Sequence, residues 1–460
     1  MTATADPERA TTTAPARKVF DIGIDDRVPV PSAIGLGVQN ILGMAGLLIF
    51  PALLGAAFKL SPTDTAYLYG VTFMTSGLVV ILQSVFLLRL PIIQGPYAGT
   101  LATLLAVGHR SGGLGAAFGS MVVAGAIWCV LAVPLKRYGL VTVLGRFVRD
   151  PIVSGVIILI LATQLTNTAL PNWLGTPAGP GFPSVNLVAG GVGAILVIVF
   201  TVLPKGNILR RGAVLVGVVL GTVVYAIFEP TSFGNVTHNV GIAVPRFFPF
   251  GFSVDGSLVV IFFITMLPAI AESIATYDVV ARWGEQHLSG FRVAQGVFGE
   301  VLGSTIGSVF GGLSTLAYPD NIGLLRVTRV GSRYVTLTTG IILLVLGGLK
   351  PFDSLLEAVP LPVLAATGLV LFGVLFGSAI DVLSHVHWDQ RNLLVAGVPF
   401  ITAIGGLFVP AATLKALPTV VGLILGQPLI LGTILLIVMK GALAFGAGRR
   451  KSEDVATPVA

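Results

Sequence analysis

Long apolar stretches follow one another from residue 32 to residue 439, and this feature limits the fold of the chain more than any other. A helix needs about 20 mostly apolar residues to cross the hydrocarbon of a lipid bilayer. Only 10% of the 460 residues are charged, whereas soluble domains carry about 25%. The sequence therefore predicts an all-α polytopic membrane protein with fourteen transmembrane spans. The predicted spans, numbered 1 to 14, cover residues 32–57, 65–88, 93–108, 113–134, 151–167, 186–203, 212–228, 257–281, 293–311, 312–325, 334–348, 359–380, 392–410 and 416–439.

The positions of Lys and Arg between the spans predict the orientation. Together, the N-terminal tail, the even-numbered connections and the C-terminal tail hold 22 of the 27 basic residues. The opposite side holds Lys59, Arg110, Arg246, Lys350 and Lys415. Short cytoplasmic loops are enriched in Lys and Arg, so both termini are predicted to be cytoplasmic in a multi-pass cell-membrane protein. The net charge of +7 belongs to these loops, and we expect no nucleic-acid partner.

An even number of spans with both ends on one side is compatible with two repeats of seven. Because seven is odd, the second repeat must run inverted in the membrane. The longest polar connection, residues 229–256, separates spans 7 and 8 and marks the predicted boundary between the repeats.

Spans 3 and 10 occupy matching positions in the two repeats, and each is short and interrupted by Pro and Gly. Interrupted segments at matching positions are the best sequence indication of a midplane binding site in a transporter. We predict broken half-helices that begin near Gly99 and Asn321 and point their N-terminal N–H groups at a ligand. The alternative is that Pro and Gly only kink two packed helices.

Three acids lie well inside predicted spans: Glu272, Glu300 and Asp320. A charged residue at the bilayer centre costs at least about 2.5 kcal/mol and is a functional-site hypothesis by default. Glu272 shares a helix face with Thr276, four residues later. For Glu272 the alternative is a structural hydrogen bond to a neighbouring helix. For Glu300 it is a helix-packing face of small residues.

The sequence shows no known catalytic or metal-binding pattern. The five His residues do not form a ligand set with Cys or acidic residues, and we find no phosphate-binding loop or nucleophile elbow. We therefore expect neither enzymatic activity nor a bound metal or cofactor.

Three motifs resemble the nucleobase-ascorbate transporter family, also called nucleobase cation symporter family 2, which includes the uracil and xanthine permeases. The segment from Phe310 to Arg333 resembles the family signature in span 10. Ala271–Tyr277 resembles the span 8 motif, and Gln94–Ala98 resembles the segment in span 3. The resemblance covers nearly all of residues 32–441.

The resemblance implies roles for individual residues. Those expected to support the site are Gln39, Asn40 and Glu300. Glu272 and Asp320 are also expected to couple transport to protons. The residues expected to bind the substrate are Glu272, Asp320, Tyr97, Ala98, Tyr318, Thr276 and Asn321.

The resemblance also implies a domain organisation. A core domain of spans 1–4 and 8–11 would move in an elevator-like manner against a gate domain of spans 5–7 and 12–14, in a homodimer formed through the gates. The expected segments are a tail (1–31), first core half (32–134), first gate half (135–228), inter-repeat loop (229–256), second core half (257–348), second gate half (349–441) and tail (442–460).

Three residues depart from the family pattern. Asn40 stands in place of a His and does not titrate near neutral pH. Tyr97 replaces the usual Phe, and Thr276 stands where relatives have His or Asp. The resemblance leaves the substrate open between uracil and a purine such as xanthine or urate, and sodium is the alternative to protons as the coupling ion.

Two other functions remain as alternatives. The first is an inorganic-anion transporter of the same fold, which two carboxylates at the binding site disfavour because they repel anions. The second is a channel or a non-transporting membrane scaffold. A channel needs a continuous polar pore, and the sequence gives no sign of one.

Overall fold

The computed structural model describes residues 19–455 except 43, 45, 109–111, 135–149, 178, 205–208, 210–211, 230–239, 319–323 and 326–327. Helices make up most of the described chain. The α-helices are α1 (Val30–Leu42), α2 (Gly46–Ala57), α3 (Pro62–Ile81), α4 (Ala98–Val107), α5 (Gly113–Leu131), α6 (Pro151–Leu174), α7 (Ser184–Thr201), α8 (Ala213–Phe228), α9 (Gly256–Trp283), α10 (Gly290–Val309), α11 (Arg333–Gly347), α12 (Lys350–Glu357), α13 (Leu361–Ser384), α14 (Gln390–Gly405), α15 (Ala411–Ala416), α16 (Thr419–Leu425) and α17 (Pro428–Val455).

Three short elements complete the list. A π-helical turn (Leu82–Phe86) continues α3, and a 3-10 turn (Gly406–Phe408) continues α14. Two strands, β1 (Gln94–Pro96) and β2 (Thr315–Ala317), interrupt the otherwise helical chain. The all-α prediction is therefore wrong at these six residues, because the two broken spans pair their backbones with each other.

Among the described residues, seven helices are long and apolar enough to cross a membrane, or eight if the bent pair α1 and α2 forms one span. Four shorter apolar helical stretches, of 10–17 residues, are Ala98–Val107, Ala213–Phe228, Arg333–Gly347 and the first part of α17, Pro428–Ala442. The multi-pass helical architecture is confirmed, and the total of fourteen spans stays a prediction.

Besides spans 3 and 10, two more predicted spans are not continuous helices. Span 1 is divided into α1 and α2, which meet at an angle of 40°. Span 14, predicted over residues 416–439, is divided among α15, α16 and α17. Pro418 precedes α16 and Pro428 begins α17. Proline disfavours the interior of a helix because it lacks an N–H group and its ring clashes with the preceding turn.

The helices pack in two groups. In the first group, α3 packs on α11, α5 packs on α9 and α10, and α1 packs on α11. In the second group, α13 packs on α6 and α7, α7 packs on α8, and α14 packs on α17. The contacts between the groups include those of α2, α4 and α9 with α6, α13 and α17.

The two strands lie inside the first group and run antiparallel, with Gln94 opposite Ala317 and Pro96 opposite Thr315. The N–H of Tyr97 donates to the carbonyl of Ser314 at 2.7 Å, and the N–H of Tyr318 donates to the carbonyl of Ile93 at 2.9 Å. Backbone N–H and C=O groups inside a bilayer must be paired within the protein. This strand crossing, residues 94–96 and 315–317, satisfies that requirement where spans 3 and 10 lack helix.

The crossing is closely packed on Gly95. A Cβ atom at Gly95 would overlap the ring of Tyr318, whose hydroxyl donates to the carbonyl of Pro96 at 3.0 Å. Glycine is therefore required for the ring to lie across β1.

We predict that Gly95→Ala destabilises the protein, because overpacking of a closed interior costs about 1–3 kcal/mol. Gly373→Ala is the matched control, since no described atom lies within 4 Å of a Cβ at that position. Thermal unfolding of both variants in one detergent measures the difference. Equal unfolding temperatures for the two variants would show that the crossing tolerates the added methyl group.

The short helix α12 joins the two helix groups, because it follows α11 and precedes α13. Its Asp353 is buried against α3, where a Cβ atom at Gly70 would overlap the carboxylate. The Oδ1 atom makes no hydrogen bond with a described residue. Burial raises the pKa of the Asp353 carboxyl to about 8, and burial also raises the pKa of Glu357 at the end of the same helix.

We predict that Asp353 makes stability decrease with pH. As the pH rises from the ordinary pKa of 3.8 towards about 8, the unfolded chain releases the proton that the folded chain keeps, and this favours unfolding. Asp353→Asn does not ionise, so its unfolding temperature should fall less than that of the wild type between about pH 5 and pH 8. Thermal unfolding across this range tests the prediction, and parallel curves for the two proteins would contradict it.

Candidate functional site

The strand crossing places the aromatic ring of Tyr97 over the start of α4. Tyr97 is the N-cap of α4, with extended backbone angles of φ −85° and ψ 122°. Its ring covers Gly99, where a Cβ atom would overlap it. The half-helix thus begins at Ala98, one residue from the predicted start, and Ala98 itself is half-buried.

Tyr97 is only 1% exposed, yet its hydroxyl makes no hydrogen bond with any described residue. A buried hydroxyl without a partner costs about 1–3 kcal/mol. The hydroxyl is close enough to the Glu272 carboxylate for the two to interact electrostatically. The structure therefore brings together two of the predicted substrate-binding residues, Tyr97 and Glu272.

Glu272 is half-buried near the middle of α9. The next residue, Ser273, accepts a hydrogen bond of 3.0 Å at its Oγ from the N–H of Ala317. This hydrogen bond joins α9 to β2, so it fixes the position of Glu272 along the helix axis relative to the crossing. Thr276, one turn further along the same helix, is buried at 3% exposure.

A second carboxylate, Glu300 on α10, lies close enough to Glu272 for their charges to interact. It is 2% exposed and accepts a hydrogen bond of 2.8 Å from the hydroxyl of Tyr277. The small residues around it do form a packing face, as the alternative interpretation predicted: Gly299 packs on Leu87 and Gly303 packs on Val79. Glu300 therefore combines a helix-packing position with a place beside the site.

Gln94 in β1 lies beside the predicted site, although sequence analysis gave it no role beyond its place at the start of the span 3 motif. Its side chain is fully buried beside Glu300 and Tyr277. Neither its amide nitrogen nor its amide oxygen makes a well-aligned hydrogen bond with a described residue. The amide therefore adds a donor and an acceptor to the polar groups of Glu300 and Tyr277. The sequence carried two signals for it: a polar residue inside an apolar broken span, and a place in the span 3 motif.

Ser273 and Tyr277 were also missed, although both belong to the span 8 motif. Their separation of four residues places them on one face of α9, and both contact the crossing or its neighbour Glu300. The hydrogen-bond partner of Ser273 lies 44 residues away and that of Tyr277 lies 23 residues away. Sequence spacing alone does not reveal either contact.

The remaining predicted residues lie elsewhere or outside the described chain. Asn40 is buried and donates from Nδ2 to Thr339 on α11 at 3.0 Å, and Gln39 beside it is half-buried. The Tyr318 hydroxyl bonds to the crossing itself. Asp320 and Asn321 fall outside the described residues.

Two broken spans that meet inside a bundle of apolar helices, with carboxylates beside the meeting point, are features of multi-pass membrane transporters. Solved structures with the same fold include the transmembrane domain of the cyanobacterial bicarbonate transporter BicA, with a TM-score of 0.53 and 16% identity. The alignment covers 91% of this chain and 99% of that one. Murine Slc26a9, an anion transporter, gives a TM-score of 0.59 at 12% identity over 89% of this chain and 69% of its own.

The chain belongs to the permease family, whose model, Xan_ur_permease, matches residues 31–412. Among its relatives, the uric acid permease PucK of Bacillus subtilis is 28% identical over 92% of this chain and 97% of its own length. The xanthine permease XanP of Escherichia coli is 27% identical, over 83% of this chain and 86% of its own. The predicted family resemblance is therefore confirmed.

We predict that Tyr97→Phe has a mild effect on substrate binding and Tyr97→Ala a severe one. Phe keeps the ring and removes an unpaired hydroxyl, whereas Ala removes a ring contact that adds about 0.5–1.5 kcal/mol beyond area burial. Equilibrium binding of radiolabelled base to the purified variants measures both changes. Equal losses in the two variants would show that the hydroxyl, and not the ring, contacts the base.

Proposed function

We propose that this protein takes up a purine base such as xanthine or urate by secondary active transport across the cell membrane. Membership of the permease family and the names of its relatives support a nucleobase substrate. The observation that carries the proposal is the group of polar atoms at the crossing: the Glu272 carboxylate, the buried Gln94 amide, and the Tyr97 hydroxyl, which no described residue pairs.

These groups suit the chemistry of a planar base. A carboxylate accepts hydrogen bonds at two oxygens, so Glu272 can hold two adjacent ring N–H groups. An amide has both donors and an acceptor, so Gln94 can meet a ring carbonyl and an N–H. The Tyr97 ring offers a flat apolar face for stacking. Asp320, Asn321, Thr276 and Tyr318 are proposed to complete the site.

Movement is proposed to occur between the two helix groups. The first group corresponds to the core domain of spans 1–4 and 8–11, and the second to the gate domain of spans 5–7 and 12–14. The crossing lies in the first group, while α6 and α13 of the second group face α2 and α4. An elevator-like displacement of the core against the gate would carry the site across the membrane. We also propose that the chain consists of two inverted repeats of seven spans each, with both termini in the cytoplasm. Two copies of the protein are proposed to associate through their gate domains.

Coupling to protons is proposed to use Glu272, with Asp320 in support. Asn40 does not titrate and donates to Thr339, so it does not serve as the coupling group. A carboxyl that moves between environments of different polarity changes its affinity for a proton. This change couples proton movement to movement of the base.

Transport of an inorganic anion is the other function compatible with the fold, since BicA and Slc26a9 have similar structures. The site argues against it. The Glu272 carboxylate at the crossing accepts hydrogen bonds, and it would repel bicarbonate or a halide ion, which offers no N–H donor in compensation. A purine that presents N–H groups suits the same carboxylates.

We predict that Glu272→Gln abolishes binding of the base, because an amide replaces one acceptor oxygen with a donor. Scintillation proximity binding with the purified variant measures the loss. Asp381→Asn on α13 is the matched control, since Asp381 is exposed and distant in the fold from the crossing. Unchanged affinity in Glu272→Gln would remove Glu272 from the site.

Uptake into proteoliposomes tests the proposed transport. We expect concentrative uptake of xanthine, urate or both when a pH gradient, acidic outside, is imposed, and uptake of uracil alone would contradict the choice of a purine. Uptake that follows a sodium gradient after the pH gradient has been collapsed would contradict proton coupling. Uptake of bicarbonate or sulfate in place of every base would contradict the proposed substrate class.

A further inference from the structure

A cavity of about 490 Å³ lies apart from the crossing, at the end of the first helix group where α3 gives way to its π-helical turn. Three arginines line it, Arg89, Arg292 and Arg333, together with a single acid, Asp25. Two aromatic side chains of its wall, Phe86 and Phe291, are 61% and 36% exposed. The walls thus combine an excess of positive charge with an apolar rim.

Two of these arginines are held by the protein itself. Arg292 donates to the carbonyls of Leu88 and Arg89, at 2.7 and 2.9 Å, and to the side chain of Gln286. Arg333 forms an ion pair with Asp25 at 2.6 Å. These contacts fix the two side chains in the wall of the cavity. The single acid of the lining, Asp25, is thereby neutralised by one of the three arginines.

The third arginine, Arg89, is positioned but not paired. Its guanidinium makes no hydrogen bond or ion pair with any described residue, although its main-chain N–H donates to the carbonyl of Gln83 at 2.7 Å. Its φ angle of 55° lies in the left-handed region that side chains other than Gly and Asn rarely adopt. The bond from Arg292 to the Arg89 carbonyl helps to hold this conformation.

We propose that this cavity binds a phosphate-bearing anion, with Arg89 as the principal ligand. The planar guanidinium of arginine matches phosphate oxygens in two parallel hydrogen bonds. After the ion pair of Arg333 with Asp25, Arg89 and Arg292 leave an unbalanced positive charge at the cavity. The charge-based orientation puts this end of the core on the cytoplasmic side, where basic pockets between membrane helices bind anionic lipid head groups.

The apolar rim, Phe86 and Phe291, favours a lipid head group over a free phosphate ion as the source of the phosphate. Phe86 and Phe291 could contact the acyl chains of a lipid whose head group enters the cavity, whereas a free phosphate ion would make no use of them. Both sources share the same contact with Arg89, and the experiment separates them.

The test compares the wild type with Arg89→Asn, Arg89→Lys and Arg391→Asn. Asn tolerates the left-handed conformation, so the first variant removes the guanidinium with little backbone strain. Lys keeps the charge without the planar fork, and Arg391 is an exposed arginine at the start of α14 that serves as the control. Binding is followed by thermal unfolding in detergent with added phosphatidylglycerol, phosphatidylcholine or inorganic phosphate.

We expect phosphatidylglycerol to stabilise the wild type and Arg391→Asn, with an apparent affinity about tenfold weaker in Arg89→Asn and intermediate in Arg89→Lys. A similar Arg89-dependent response to inorganic phosphate would support the anion site and identify a free ion as sufficient. If Arg89→Asn is too unstable to purify, the wild-type and Arg89→Lys titrations decide the matter. Equal responses of the wild type and the Arg89 variants, or a response to neither phosphate source, would overturn the proposal.

Discussion

The backbone pairing of two broken spans is the interaction on which the rest of the structure depends. A transmembrane segment that leaves the helical conformation exposes N–H and C=O groups that the bilayer cannot satisfy. Here β1 and β2 satisfy each other through three residues on each side. The pairing brings the start of α4 and the motif on α9 to one place, because Ser273 is bonded to β2 and Tyr97 follows β1.

Once the crossing exists, the positions of the polar side chains follow from it. Gln94 is buried in the strand pair. Glu272 is positioned by its neighbour Ser273, which is hydrogen-bonded to β2. Glu300 accepts a hydrogen bond from Tyr277 on α9. Gln94 and Tyr97 keep polar atoms that no described residue satisfies. Donor and acceptor atoms of this kind suit hydrogen bonds to a base.

Much of this arrangement could be predicted from the sequence. The apolar stretches indicated the membrane architecture, and the Pro and Gly residues of spans 3 and 10 indicated the breaks, with α4 beginning one residue from the expected position. The strand pairing could not be predicted, because two three-residue strands are too short to show periodicity. The burial of Asp353 was missed because it depends on the absence of a side chain at Gly70, in a distant helix. The division of span 14 was missed because its apolar composition continues across Pro418 and Pro428.

The central claim is that the base binds at the crossing, between Tyr97 and Glu272. An experimental structure of the protein with its best-bound base tests this most directly. We predict that density for the base lies against the Tyr97 ring, with its N–H groups within about 3 Å of the Glu272 carboxylate. Density for the base at a position that contacts neither residue, with β1 and β2 still paired, would contradict the account.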